Sequence, residues 1–198
     1  MELYKEGEEK FGFCTSRLYE AIPKYFLREL YDSVIRDVQK YSPASILDVG
    51  CGTANVDKII AQKFPDVYIY AIDPSEYMVK IAENKLKKYG TRVHISQGSS
   101  RYIPFDMKFD MIFSSLSFHH WKCREKGLEE MSKYVSETGF IAIYEYYKEN
   151  LHGIYRGVKG HTLSMVDIEE LSIQGFSKNT NINGKIVSLM FTRAKNSQ

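Results

Sequence analysis

Two acids and two glycines stand at a spacing that suits a ribose-bearing ligand. Asp48 ends the apolar run "ILD", and Gly50 and Gly52 follow with Cys51 between them. Glycine is used where the backbone turns sharply or comes close to another group. Asp73 ends a second apolar run 25 residues after Asp48, where a carboxylate accepts both hydroxyls of a ribose. A phosphate loop needs Gly-Lys-Ser/Thr, and no lysine follows Gly52 at that spacing. A nicotinamide fingerprint, GxGxxG, needs a glycine where Asn55 stands. An acid inside the loop also sits poorly beside pyrophosphate. The pattern asks for a ligand with a ribose and a positive charge and without a phosphate.

A second set of candidates is the pair His119–His120. A neutral histidine takes a proton from an attacking hydroxyl or amine; the alternative is that the pair shapes the substrate or bonds to its own loop. Adjacent side chains diverge, so one of the two is expected to face a cleft. Together with Cys123 the pair makes poor zinc spacing, and no metal is expected.

These residues need elements to hold them. "SILDVG" (45–50), "VYIYAID" (67–73), "RVHISQ" (92–97), "FDMIFSSL" (109–116) and "FIAIYEYY" (140–147) read as buried strands. Helices are expected over 56–64 and 76–89, and Leu128, Met131 and Val135 mark a third by their spacing. Residues 24–41 read as a helix with Leu27, Leu30, Val34, Val38 and Tyr41 on one stripe. "VDIEELSIQGF" reads as a short helix closed near Gly175. "NG" at 183–184 signals a hairpin between "SKNTNI" and "IVSLMFTRAK". The alternation implies an α/β fold: a seven-stranded, mostly parallel sheet with an antiparallel carboxyl-terminal hairpin and helices on both faces. Asp48, Asp73 and the histidines then lie at the carboxyl ends of strands, where such sheets bind ligands.

The 198 residues suit a single domain. A net charge of +2 without a dense basic tract argues against nucleic acid. Three cysteines make neither a CxxC pair nor an even framework, which points to reduced thiols. No run approaches the roughly 18 apolar residues needed to span a bilayer, and "MELYKEGEEK" is no signal segment. The expectation is a cytoplasmic protein without a membrane partner; oligomeric state is not readable.

"ILDVGCGTAN", "AIDPSEYMVKIAENK", "HISQGSSRYIPF" and "FDMIFSSLSFHHW", in this order, resemble the class I methyltransferases that use S-adenosylmethionine (SAM), most closely the broad small-molecule group. The resemblance covers roughly residues 40 to 195 and implies a Rossmann-like fold. It implies that Asp48, Gly50, Cys51 and Gly52 approach the methionine end of SAM. Asp73 would bind the ribose, Pro74 and Met78 would border the adenine, and Ser99 and Ser100 would face its amine. Ser114 and Ser115 would line the cofactor near its methyl group. Residues 1–40 would form an arm and helix covering the site of a 41–198 core, with Arg17 at the methionine carboxylate and Tyr19 at the substrate. The chain departs from the family at Ala54, where a third glycine is usual.

The function expected is in-line methyl transfer from SAM to a small-molecule acceptor, leaving S-adenosylhomocysteine (SAH). A nucleic-acid or protein methyltransferase and a non-catalytic SAM-binding protein are the alternatives.

Overall fold

The computed structural model describes Leu3 and residues 24–152 and 162–194. Five parallel strands come first: β1 (Ser45–Val49), β2 (Tyr68–Asp73), β3 (Val93–Gln97), β4 (Phe109–Ser115) and β5 (Val135–Tyr147). β6 (Thr162–Leu163) adds two residues of parallel pairing at the end of β5. β7 (Phe176–Asn183) and β8 (Ile186–Arg193) form an antiparallel hairpin, and β8 runs antiparallel against β5. The order is β3-β2-β1-β4-β5-β8-β7. Strand order reverses between β1 and β4, so the carboxyl ends of these two strands flank the ligand-binding crevice.

Among the described residues five helices, α1 (Lys24–Tyr41), α2 (Asn55–Lys63), α3 (Glu76–Leu86), α4 (Arg124–Tyr134) and α5 (Met165–Glu170), surround the sheet. Side chains alternate between its two faces. Ile46, Met111, Phe113 and Tyr144 pack with Leu30, Val34 and Val38 of α1 and Val56 and Ile60 of α2. Leu47, Ile112, Ile141 and Val187 pack with Leu128 and Met131 of α4 on the other face. Both faces are therefore buried, which explains the near-continuous apolar runs of β1 and β4. Each fully buried aliphatic side chain contributes about 1.5–3 kcal/mol. Arg92 ties the sheet to α2 by donating to the carbonyls of Ala61, Phe64 and Val67. No helix among the described residues is long and apolar enough to cross a membrane.

The strand expectations hold to within a residue or two except at β5, which starts five residues early, at Val135. Val135 is buried as the helical spacing requires, but its backbone is extended and α4 stops at Tyr134. The helix expected over 76–89 ends at Leu86; a 3-10 turn follows, and Gly90, at φ +62°, breaks the helical path. α5 ends at Glu170, far short of Gly175, because Leu171 and Ile173 alternate into the core on extended chain. The hairpin turn is Gly184–Lys185, one residue later than "NG", since Asn183 pairs with Ile186. Tyr41, at the end of the α1 stripe, is exposed.

Candidate active site

The glycine loop joins β1 to α2 and is fastened to β2. The N–H groups of Gly50 and Cys51 both donate to the Ile72 carbonyl, at 2.8 and 3.0 Å. The Gly52 N–H donates to Asp73 Oδ2 at 2.9 Å, and the Ala54 N–H to the Cys51 carbonyl. These donors are spent inside the chain, so the loop is not the N–H nest that cradles phosphate. Gly50 has φ +86° and Gly52 φ +53°. A Cβ on Gly50 would stand 2.0 Å from Ser117 Oγ, so what comes close to this glycine is a side chain from the far side of the crevice. Ala54 holds the left-handed φ of +55° that the missing glycine would adopt freely. Lys85 of α3 braces the loop, donating to Thr53 Oγ1 at 3.1 Å and Asn55 Oδ1 at 2.7 Å.

Three carboxyl groups are buried around this loop. Asp73 Oδ1 accepts from the Ser75 N–H at 2.9 Å while Oδ2 holds Gly52. Burial pushes the Asp73 pKa up to about 6, with the two N–H donors opposing it. A carboxylate oxygen has two lone pairs, so this clamp leaves acceptor capacity for a diol. Asp48 and Asp57, the latter in the first turn of α2, are fully buried, and among the described residues no other side chain donates to either carboxyl. They face each other: Asp48 is raised well above the usual carboxylate range by burial and by Asp57. Burial lifts Asp57 to about 7, against the pull of its bond to Asp48. Two buried carboxyls in contact hold a proton between them, so that one donates to the other. Asp48 thus lies beneath the loop and is absent from the cleft wall. The Cys51 thiol is held protonated, its pKa raised first by burial and then by the same three acids.

The cleft over the loop is walled by Gly50, Cys51, Gly52 and Thr53, by Asn55 and Val56 of α2, by Ser115 and Leu116, and by Tyr31 of α1. Leu116 takes φ +51°, a conformation costly for a bulky side chain, directly after β4. Ser114 points to the other face of β4, where its hydroxyl is buried without a partner among the described residues. Ser75 caps α3, its hydroxyl accepting from the Met78 N–H. Met78 is buried, and the Pro74 carbonyl accepts from Gln97 Nε2. Ser99 and Ser100 lie buried in a turn closed by two bonds between Ser99 and Tyr102, and the Ser99 hydroxyl accepts from the Arg101 N–H. Arg17 and Tyr19 lie outside the described residues.

His119 and His120 form a 3-10 turn with Phe118, immediately after Ser117. Their rings do not diverge; the centroids are 4.0 Å apart, because the tight turn brings both to one side. His119 is bound to Glu145 of β5: the Nδ1 to Oε2 distance is 2.9 Å, and the backbone N–H of His119 donates to Oε1 at 3.2 Å. The His119 and Glu145 side chains are 4% and 0% exposed. The sequence pattern did not single out Glu145, Asp57, Lys85, Ser117 or Tyr31. Glu145 is an acid inside an otherwise apolar and aromatic strand, and that interruption was the available signal.

An acid-flanked glycine loop at the switch point of this sheet defines a Rossmann-like methyltransferase fold. A family described as "Methyltransferase domain" matches residues 46–139. A SAM-dependent methyltransferase from Aquifex aeolicus superposes with a TM-score of 0.73 at 21% identity, covering 93% of this chain and all of the other. The chain is thus similar to methyltransferases over these residues and shares the fold of the SAM-dependent enzymes. An uncharacterized methyltransferase of Staphylococcus carnosus is 27% identical over 83% of this chain and 79% of its own length. A demethylmenaquinone methyltransferase of Thermotoga maritima is 29% identical over 73% of this chain, which spans 60% of that relative.

Proposed function

We propose that the protein transfers a methyl group from SAM to a small-molecule acceptor held above the glycine loop. The observation that carries this reading is the loop's electrostatics. Its N–H donors are consumed internally, and three buried acids surround it. Such a site favours a cationic, ribose-bearing group over a phosphate. In this reading Asp73 holds the ribose hydroxyls, and Gly50, Cys51 and Gly52 pass the methionine end with Asp48 beneath. Pro74, Met78, Ser99 and Ser100 border the adenine; Ser115 lies toward the methyl group, with Ser114 turned to the other face of β4.

SAM, when bound, supplies a methyl group already activated by a sulfonium. The protein's task is then to position the acceptor and exclude water. In this reading an amino-terminal segment, residues 1–40, covers the site, with Arg17 as candidate for the methionine carboxylate and Tyr19 for the acceptor, both outside the described residues. Tyr31 in the cleft wall supports an aromatic lining on this side.

The test is transfer from radiolabelled SAM to separated small-molecule, RNA and protein fractions, with the full chain and with a truncation lacking residues 1 to 18. The expected result is label in the small-molecule fraction, lost in the truncation while some SAH binding remains. Preferred labelling of RNA or protein, or full activity in the truncation, contradicts the proposal.

A further inference from the structure

A buried acid in the middle of a strand is costly unless it is paired. Glu145 is fully buried near the carboxyl end of β5, on the face that carries Ile143 and Val187. Its two oxygens are both directed at one residue, His119. One bond holds the His119 backbone and the other holds the ring. A carboxylate only accepts, so the hydrogen on the ring is assigned to Nδ1 and the lone pair falls on Nε2. A carboxylate behind an imidazole fixes its tautomer and stabilises the imidazolium that forms when Nε2 takes a proton. The dyad stands at the carboxyl end of the sheet, with His119 in the loop after β4 and Glu145 on the face opposite Ser115, beside the cleft rather than in its wall. His119 is two residues from Ser117, whose side chain touches the glycine loop at Gly50. It follows β4, whose last residue, Ser115, walls the cleft.

We infer that His119 is the general base of the reaction, that Glu145 is its positioning residue, and that the acceptor atom carries a proton at neutral pH. This rests on the methyl-transfer reading above and narrows its substrate class. A carboxylate acceptor is already a nucleophile and needs no base. A hydroxyl or a phenol must lose a proton as it attacks, and an ammonium must lose one before it attacks. For a hydroxyl, the proton passes to His119 Nε2 while an oxygen lone pair forms the new C–O bond. The C–S bond breaks with its electrons going to sulfur, and the imidazolium later releases its proton to water. A structural role for Glu145, anchoring the loop after β4 through the His119 N–H, is the competing account.

The test has two parts, both on the full-length protein with SAH or SAM. The first needs no acceptor: nitrogen NMR of the SAH complex reads the tautomer of the His119 ring, assigned with His119→Gln. The expected result is the Nδ1-H tautomer, with ring signals that shift in Glu145→Gln. Hydrogen on Nε2, or ring signals identical in Glu145→Gln, overturns the dyad even if methyl transfer is established. The second part labels the small-molecule fraction from methyl-labelled SAM and treats the product with mild base. Methyl esters release labelled methanol; ethers and methylamines keep the label. The expected product keeps it. With that product's parent as substrate, Glu145→Gln should lower kcat at least about tenfold and His119→Gln about a hundredfold or more, with KM and SAH affinity within about twofold. Release of methanol leaves the methyl-transfer reading standing and overturns the inference. So does wild-type kcat in Glu145→Gln, or a loss of SAH affinity that matches the loss of rate.

Discussion

Ser117 lies so close to Gly50 that a Cβ on the glycine would stand 2.0 Å from its Oγ and 2.6 Å from its Cβ. Ser117 cannot simply turn away, because its hydroxyl accepts from Trp121 Nε1 at 3.3 Å. This contact joins the loop after β1 to the loop after β4, the two walls of the crevice. Gly50→Ala meets both this clash and a positive φ, the latter costing about 1–2 kcal/mol alone. SAH affinity is expected to fall at least about tenfold. Adding Ser117→Gly should recover the steric part, giving a coupling of about 1 kcal/mol or more in a double-mutant cycle. Additive effects would show that the two loops are not in contact.

Ala54 gives the opposite sign. It sits at φ +55° in the conformation that glycine adopts without cost, and its methyl group is buried against Ala82 and Leu86. Ala54→Gly relieves about 1 kcal/mol of backbone strain and loses a similar amount in packing and chain entropy. SAH affinity measured by calorimetry should stay within about threefold of wild type or tighten. A tenfold weaker complex would mean that the Ala54 methyl group itself shapes the loop.

The acids under the loop set a pH dependence. Asp57 has a pKa of about 7 and Asp73 about 6 in the folded chain, against an ordinary 3.8. Between those values the folded state binds more protons than the unfolded state, so unfolding free energy falls as pH rises. The contribution is complete below about pH 4; the Asp57 and Asp73 parts are lost as pH rises through about 6 to 7, and the Asp48 part, raised further by burial and by Asp57, is lost above that. Denaturant unfolding of the ligand-free protein should therefore show lower stability at pH 8 than at pH 5. Asp57→Asn removes one acid of the pair and should flatten that slope. A slope unchanged in the variant would place the pH dependence elsewhere.

Much of the fold was legible because both sheet faces are buried, which leaves β1, β2 and β4 as dense apolar runs. The glycine loop and Asp73 were legible because strand-end acids at that separation have few other uses. Boundaries failed where burial and backbone conformation part company. Val135 is buried at helical spacing yet begins β5, and Leu171 is buried on extended chain beyond α5. The missed site residues act across the fold. Ser117 meets Gly50, Lys85 reaches Thr53 and Asn55, and Glu145 meets His119 only after the sheet has brought distant segments together. Asp57 sits in the first turn of a helix, where an acid ordinarily serves the helix dipole in solvent; its burial against Asp48 follows from tertiary packing alone.

The central claim is that Asp73 is the ribose anchor of a SAM site. Its carboxylate is held from behind by the Gly52 and Ser75 N–H groups and is nearly buried. Hydrogen bonds to a charged group are worth roughly 1.5–3 kcal/mol each, and Asp73→Ala removes those made to the ribose. Isothermal titration of SAH into wild type, Asp73→Asn and Asp73→Ala, with folding checked by circular dichroism, measures this directly. The predicted result is a fall in affinity of at least about tenfold in Asp73→Ala with the fold intact and a smaller fall in Asp73→Asn; unchanged SAH affinity in a folded Asp73→Ala would contradict the account.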